Sequence, residues 1–432
     1  MKLITSLLLT TLHAQSYPDC EDIGSIPVEC DPDGCANGGL GCNAGGQEHC
    51  RFCGEEYGFN SCSGVGSSCQ TPTETTTIVT TATSTVTDDT KTTPRPTQPT
   101  ISPEPSNSGT LMFSDDFSFF DFSKWQHEIN LAGGGNWEFQ YYNNNRTNSY
   151  VKDNTLFIRP TLTSSTFGEE FLNTGTLDIA GGVDADSCNQ GQFYGCFRQG
   201  TPDNILNPVM SARIRTQNSF SFKYGKVSFD AKMPAGDWIW PAVWMLPKHN
   251  AYGQWPASGE IDILESRGNS IYNKCVASTL HWGPVFELNQ YEQTSEEICL
   301  DSGSFADDFH RFELEWTENY IQTKVDGEVL LSVSPSSTMW EQGDFPSWVY
   351  NPGWSSKMAP FDQEFFLIIN VAVGGTNGFF PDNAGDGKPW QNDSGIGPRQ
   401  FWDARNQWMS TWDFEGNDSA LQIRNLNVYS YE

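Results

Sequence analysis

The chain has 432 residues, which is longer than most single domains, so its length predicts two or more units. It carries 54 acidic and 24 basic residues, a formal net charge of -30. A surface this negative repels nucleic-acid phosphates, anionic lipids and polyanionic polymers, so we expect neither nucleic acid nor membrane as a partner. A neutral polymer meets no such repulsion.

The N-terminal segment, residues 1–16, has the pattern of an export signal peptide. Lys2 is followed by a short apolar run at 4–12 and by small residues at 14–16. The run is too short to cross a bilayer, and no later apolar stretch reaches 18 residues. We therefore expect a secreted, extracellular protein, a compartment that also suits twelve cysteines. Three sequons would accept glycans there: Asn145, Asn392 and Asn417.

Residues 17–70 form a predicted small module that depends on disulfides. Eight cysteines lie between Cys20 and Cys69 among Gly, Asn and Asp, with little apolar material for a core. Cys50 and Cys53 form one C-x-x-C pair, which is also a zinc or redox pattern, but a cysteine-dense secreted module favours structural cross-links. The eight cysteines leave the connectivity open, and the role of the module is equally open.

Residues 71–109 are predicted to be a disordered linker. Half of the residues in 71–100 are threonine, mixed with proline and few large apolar side chains. Such a segment cannot bury enough surface to fold, and it is typical of an extended stalk that tethers two domains.

Residues 110–432 contain all fifteen tryptophans and have the pattern of an all-β domain. Short runs of β-forming residues alternate with Gly, Asn, Asp and Pro turns, and Asp326–Gly327 is a hairpin turn signal. The sequence predicts one antiparallel β-sandwich with long loops. The predicted strands include residues 155–159, 225–233, 309–316, 320–325, 365–373 and 421–429.

Three carboxylates stand within six residues of one predicted strand, in the sequence E-I-D-I-L-E. Glu260 and Asp262 share a face because side chains alternate along a strand. A regular strand would turn Glu265 to the opposite face, whereas one extra residue in a β-bulge returns it to theirs. We therefore predict a bulge between Asp262 and Glu265.

Acidic residues on one strand have two interpretations. They can lie on an edge strand or a solvent-facing sheet surface and simply stay hydrated, or they can serve bond cleavage, which needs one ionised and one protonated carboxyl. Mutual repulsion on one sheet face would raise at least one of their pKa values. The surrounding segment, residues 238–269, is rich in Trp, Pro and Met, which favours a cleft wall and hence catalysis.

This segment resembles glycoside hydrolase family 16, in particular its laminarinase-like β-1,3-glucanases and the invertebrate glucan-recognition proteins. The resemblance extends from about Ser114 to Tyr431. The segments that carry it are 136–142 (NWEFQYY), 223–226 (KYGK), 240–247 (WPAVWMLP), 260–265 (EIDILE), 266–269 (SRGN), 280–283 (LHWG) and 371–375 (VAVGG).

The resemblance implies a concanavalin-like β-jelly roll with a long cleft and retaining chemistry on a neutral β-glucan. By position, Glu260 would be the nucleophile and Glu265 the general acid/base, and Asp262 would orient the nucleophile and control its proton. Retention requires the two glutamate carboxyls to lie roughly 5–5.5 Å apart. The bulged E-x-D-x-x-E spacing resembles the laminarinase side of the family, with β-1,3-1,4-glucan as a secondary substrate.

Five residues are predicted to bind substrate. Trp240 and Trp244 lie four apart in a strand and so share a face, and indoles stack on sugar rings. Trp255 precedes the catalytic strand, and Asn136 lies in a family loop suited to hydroxyl recognition. His281 is predicted to be a partner of the carboxylates. Each has a structural alternative, because most tryptophans in such a domain belong to the core and a lone histidine is commonly structural.

The remaining expectations concern cross-links, ions and the alternative function. We expect disulfides Cys188–Cys196 and Cys275–Cys299. We expect a monomer with no required cofactor and no metal ligands, although some family members hold a structural calcium. The alternative function is glucan recognition without cleavage, and the intact carboxylates favour the enzyme.

Overall fold

The computed structural model describes residues 109–180, 188–385 and 387–431. The chain divides into two units, Met1–Thr100 and Ile101–Glu432. The predicted export signal and cysteine-rich module lie outside the described residues, as does the predicted linker up to residue 108. Among the described residues, no helix has both the length and the apolar character that a bilayer crossing requires.

Strands dominate the described part of the chain, and the helices there are short. The strands are β1 Leu111–Asp115, β2 Gln126–His127, β3 Gln140–Tyr142, β4 Ser149–Lys152, β5 Thr155–Ile158, β6 Thr161–Leu162, β7 Thr176–Asp178, β8 Phe197–Gln199, β9 Val209–Ser211, β10 Arg213–Arg215, β11 Gly225–Lys232, β12 Ile239–Pro247, β13 Glu260–Ser266, β14 Cys275–His281, β15 Ser295–Cys299, β16 His310–Trp316, β17 Ile321–Val325, β18 Glu328–Val333, β19 Phe365–Val373 and β20 Leu421–Tyr429. The α-helices are α1 Thr163–Phe167, α2 Glu169–Thr174, α3 Met339–Gln342, α4 Gly397–Asp403 and α5 Arg405–Trp408.

Two large antiparallel sheets form the sandwich. One has the order β18-β17-β16-β11-β20-β5-β4, with β1 also paired to β20. The other has the order β15-β14-β13-β12-β19-β10-β2, so the predicted catalytic strand β13 lies inside the sheet between β12 and β14. This interior position excludes the edge-strand interpretation of its carboxylates.

The hydrophobic core lies between the two sheets. Apolar side chains of both sheets belong to one buried cluster, for example Val243 and Ile261 from the second sheet and Phe229 and Leu314 from the first. β19 is buried along its whole length. Its sequence, apolar except for Asn370, reflects a strand that is covered on both faces.

The all-β antiparallel prediction is confirmed, and the six predicted strands are present with ends that differ by at most one residue. Asp326 (φ 51°) and Gly327 (φ 86°) form the predicted hairpin turn between β17 and β18, with the left-handed backbone that Asp-Gly favours. The prediction did not include the small third sheet, in which β3 and β9 pair in parallel.

Both predicted disulfides of the large domain are present. Cys188 is bonded to Cys196, and Cys275 is bonded to Cys299. Cys275 and Cys299 are also directly opposite each other in the β14–β15 pair. The bond thus ties the edge strand β15 to the strand beside the carboxylates.

We predict that replacing Cys275 and Cys299 together by alanine lowers the free energy of unfolding by about 3 kcal/mol, since the bond closes a loop with a sequence separation of 24. Chemical denaturation of the double variant and the wild type measures this difference. Unchanged stability would show that β15 is held by its strand pairing alone.

Candidate active site

The predicted β-bulge is present in β13. On one side, Val243 pairs with Leu264 and Trp244 pairs with Asp262, so Ile263 has no opposite residue. On the other side, Ile263 and Leu264 together face the single residue Ser278 between two regular pairs. The Ser278 hydroxyl donates to the Asp262 carbonyl oxygen at 2.7 Å, which stabilises the irregular segment.

The bulge brings the three carboxylates to one face of the sheet. Their partners on β14 are His281 for Glu260, Thr279 for Asp262 and Ala277 for Glu265, each two residues from the next. Since residues two apart in a strand share a face, the three acids also share one. The apolar residues between them, Ile261, Ile263 and Leu264, are at most 1% exposed and belong to the core.

Each glutamate accepts a hydrogen bond from an indole. Trp255 Nε1 donates to Glu260 Oε2 at 2.6 Å, and Trp240 Nε1 donates to Glu265 Oε1 at 2.9 Å. These charge-assisted bonds fix the carboxyl orientation and stabilise the ionised forms. Trp240 and Trp255 were predicted to bind substrate, and both lie in the cleft in contact with the acids.

His281 lies beside Asp262, as its strand pairing predicted. His281 Nε2 is 3.2 Å from Asp262 Oδ2, and His281 Nδ1 is 2.8 Å from the Asn289 amide nitrogen. Because the amide donates to Nδ1, the neutral imidazole carries its proton on Nε2, facing Asp262. Apart from this His281 contact, the buried Asp262 Oδ2 has no hydrogen-bond partner among the described residues, so few donors stabilise its anion.

The pKa values of the three carboxyls are all raised, as their shared face predicted. Burial and then the Asp262 charge raise the pKa of Glu260 to about 8. Burial and then the Glu265 charge raise the pKa of Asp262 well above its ordinary value. Burial raises the pKa of Glu265, and the Trp240 hydrogen bond opposes that effect. Asp262 is only 3% exposed, so burial strongly disfavours its ionised form.

The three acids line a cleft of about 1480 Å³ on this sheet face. That volume exceeds the roughly 300–1,000 Å³ of ordinary small-molecule pockets and suits an extended ligand. Trp240 stacks on Phe379 with ring centroids 3.7 Å apart, and Trp244 lines the cleft farther along β12. Phe379 belongs to the loop after β19, a contact that the sequence alone did not indicate.

A buried polar group at one side of the cleft was missed by the sequence analysis. Glu138 accepts hydrogen bonds from Asn136 Nδ2 at 3.0 Å, Gln140 Nε2 at 2.6 Å and the Tyr142 hydroxyl at 3.2 Å. Burial and the Glu138 charge raise the pKa of Tyr142, which keeps its hydroxyl protonated as a donor. Asn136, predicted to bind substrate, lines the cleft but also accepts from Asn377 Nδ2 at 2.9 Å.

A second missed group supports Trp244. Trp244 Nε1 donates to Asn370 Oδ1 at 2.7 Å, and the Arg213 guanidinium lies 4.5 Å from its ring centroid. Arg213 is held by Glu128, whose Oε1 is 3.2 Å from Arg213 Nε. The indole plane is therefore fixed before any ligand arrives.

The sequence did contain a signal for the Glu138 cluster. Glu138, Gln140 and Tyr142 occur at every second position of a strand-like segment, so their side chains share one face.

Two groups of potential metal ligands occur among the described residues. One combines Glu297 with Cys275 and Cys299, whose thiols are already used in a disulfide. The other is Glu260, Asp262 and His281, with ligand atoms within 4.8 Å of one another. The first group lacks free thiolates, and the second is the carboxylate cluster itself.

Comparison with known proteins assigns the family. Residues 199–358 match the profile described as Glycosyl hydrolases family 16. A protein of Penaeus monodon named "Beta-1,3-glucan-binding protein" is 48% identical over 344 residues, covering 77% of this chain and 93% of that protein. The chain belongs to glycosyl hydrolase family 16. Within it, the chain falls in the group of glucan-binding proteins and laminarinase-like enzymes.

Some similar proteins are named for glucan binding, and others are named for glucan hydrolysis. "Glucan endo-1,3-beta-glucosidase A1" of Niallia circulans is 33% identical over 302 residues, covering 67% of this chain and 37% of that protein. A solved structure described as "Prominent members of the human gut microbiota express endo-acting O-glycanases to initiate mucin breakdown" has a TM-score of 0.50 at 21% identity, covering 75% of this chain and 92% of that one. This likeness shows the jelly-roll fold that was predicted.

Proposed function

We propose that this family 16 chain is a retaining endo-glycosidase that hydrolyses β-1,3-glucan of the laminarin type by double displacement. The observation that carries the proposal is the bulged strand β13, which brings Glu260, Asp262 and Glu265 together in one cleft. A protein that only bound glucan would gain nothing from three clustered carboxylates whose pKa values are raised, because they cost stability.

Glu260 is the proposed nucleophile. Trp255 Nε1 holds one of its oxygens, which leaves the other oxygen to attack the anomeric carbon. The attack forms a glycosyl ester on Glu260 as the glycosidic bond breaks. The same indole bond favours the ionised carboxylate that the attack needs.

Asp262 is the proposed holder of the shared proton. Its burial and poorly paired Oδ2 favour the neutral acid. When Asp262 is protonated, the charge that raises the pKa of Glu260 disappears, so Glu260 ionises more readily. The neutral carboxyl also donates a hydrogen bond that orients the nucleophile.

Glu265 is the proposed general acid and then general base. Burial keeps it protonated at the start, so it can donate to the departing glycosidic oxygen. Once Glu260 is esterified, one negative charge is lost from the cleft and the pKa of Glu265 falls. The ionised Glu265 then removes a proton from the water that hydrolyses the ester.

The proposed substrate is a neutral polysaccharide. The net charge of -30 disfavours anionic polymers, and the cleft is large enough for several sugar rings. Trp244 offers a fixed indole surface for a sugar face. Trp240 is only 7% exposed and stacks on Phe379, so its proposed part is mainly the hydrogen bond to Glu265. Trp255, His281 and Asn136 complete the proposed contacts. An open cleft admits the middle of a chain, which corresponds to endo action.

The alternative is glucan recognition without cleavage, and one observation favours it. The Penaeus monodon relative, at 48% identity, is named for glucan binding and not for hydrolysis. Both functions agree with the proposed secretion through the signal at 1–16. Both also agree with a monomer in which a linker at 71–109 tethers a module at 17–70 to the large domain at 110–432.

Incubation with laminarin separates the two functions. The full chain is mixed with laminarin, and new reducing ends and product sizes are measured beside a Glu260→Ser control. We expect short oligosaccharides from the wild type and almost none from the control. Tight laminarin binding without new reducing ends would establish recognition in place of hydrolysis.

We predict that Trp240→Phe moves the alkaline limb of the kcat profile to higher pH and lowers kcat by about tenfold. The indole bond stabilises ionised Glu265 and holds its pKa down, so its loss raises the pKa and preserves the acid form at higher pH. Phenylalanine keeps a ring against Phe379. Trp244→Phe, whose indole bonds Asn370, is the matched control and should leave the limb in place.

A further inference from the structure

An exposed aromatic patch lies next to the cleft, outside the proposed machinery. Its four rings are Trp137, Phe193, Tyr194 and Phe197, which are 49%, 49%, 73% and 51% exposed. They surround a shallow depression of about 570 Å³. Exposed apolar residues on a protein surface are usually scattered singly. A cluster of exposed rings such as this one commonly marks a binding surface.

The loop that carries Phe193 and Tyr194 is fixed in place. The Cys188–Cys196 disulfide closes it, and the Leu131 backbone N–H donates to the Gly195 carbonyl at 2.7 Å. The Arg198 guanidinium donates to the Phe193 carbonyl at 3.1 Å. A ligand would therefore meet a surface that needs little ordering on binding.

The backbone conformation makes these rings unusual. Trp137, Phe193 and Tyr194 have φ values of 53°, 55° and 59°. This left-handed region suits Gly, Asn and Asp and is disfavoured for bulky side chains. Large aromatic residues at three such exposed positions indicate that the rings themselves have a use.

The patch continues the cleft without a break. Phe193 lines both the cleft and the depression, and Trp137 directly follows Asn136, which lines the cleft. Among the described residues, the lining of the depression includes no charged side chain. The surface therefore suits a neutral chain that leaves the cleft at this end, with sugar faces against the rings.

We propose that Trp137, Phe193, Tyr194 and Phe197 form an accessory platform that binds a segment of neutral β-glucan extending beyond the cleft. This inference rests on the proposed glucan ligand. The platform lengthens the binding site, so it contributes to affinity for long chains and not for short ones.

The test uses linear β-1,3-glucan oligosaccharides of increasing length and laminarin, with Glu260→Gln in the full chain to prevent cleavage. The platform variant is Trp137→Asn with Tyr194→Asn, because asparagine accepts the left-handed backbone. We expect laminarin affinity to fall about tenfold, and trisaccharide affinity to change by less than about twofold. In the platform variant, affinity should stop rising at a shorter oligosaccharide length than in its parent.

The matched control is Trp348→Ala with Tyr350→Ala, which also removes one indole and one phenol from exposed positions but lies outside the cleft lining. Equal laminarin affinity of the platform variant and its parent, or an equal loss in the control, would overturn the inference. Phe197→Ala, on a regular strand, repeats the test if the first variant unfolds. Failure of the parent itself to bind laminarin would refute the proposed ligand, which is a distinguishable result.

Discussion

Glu260→Gln is expected to lower kcat on laminarin by about 10⁴-fold or more, since an amide cannot form the glycosyl ester. The substitution preserves shape, and the amide oxygen can still accept the Trp255 hydrogen bond. Laminarin affinity should therefore change by less than about threefold. Initial rates of reducing-end release and calorimetric binding measure the two quantities.

The same variant should also change how folding stability depends on pH. The pKa of Glu260 is raised to about 8 from 4.5, so between these values the folded protein holds more protons than the unfolded chain. Stability from this group therefore falls as pH rises through that window. Glu260→Gln should melt a few degrees above the wild type near pH 8 and close to it near pH 4. Equal melting at both values would contradict the buried position of Glu260.

Glu265→Ala is expected to lower kcat on laminarin by about 10³-fold, because the glycosidic oxygen then leaves without a proton. The effect should depend on the leaving group. An aryl β-laminaribioside with a dinitrophenyl leaving group needs no protonation, so its glycosyl transfer to Glu260 should be nearly unchanged. Burst kinetics on the aryl substrate and steady-state rates on laminarin provide the comparison.

Azide offers a stereochemical control for the two glutamates. In Glu265→Ala, azide should attack the glycosyl ester and give the β-glycosyl azide, because Glu260 still covers the opposite face. In Glu260→Ala, azide should replace the nucleophile itself and give the α-glycosyl azide. The reverse assignment of products would exchange the proposed roles of Glu260 and Glu265.

Much of the sandwich could be predicted from local sequence. β19 and β20 have the predicted bounds because β19 is apolar except for Asn370, β20 alternates apolar with polar residues, and turn formers flank both strands. The Asp326–Gly327 hairpin follows from backbone preferences of two residues. The parallel β3–β9 pair could not be predicted, because it joins Gln140 to Val209 across a long sequence separation.

The centre of the site was also predictable. In a regular strand Glu265 would face away from Glu260 and Asp262, so a shared face requires a bulge between Asp262 and Glu265. His281 followed from its position on the next strand. The Glu138 cluster was not predicted because β3 is only three residues long, although its partners Asn136, Gln140 and Tyr142 are at most four residues away. The Phe379 ring under Trp240 depends on how a glycine-rich loop folds back, which local preferences do not fix.

Trapping the covalent intermediate tests most directly whether one acid in the bulged strand attacks the sugar. The wild type is incubated with 2-deoxy-2-fluoro-β-laminaribiosyl fluoride, whose fluorine at C2 slows hydrolysis of the ester, and proteolytic peptides are weighed by mass spectrometry. We expect one added fluorodisaccharide per chain, bonded to Glu260. An unlabelled protein, or a label on any other residue, would contradict this expectation.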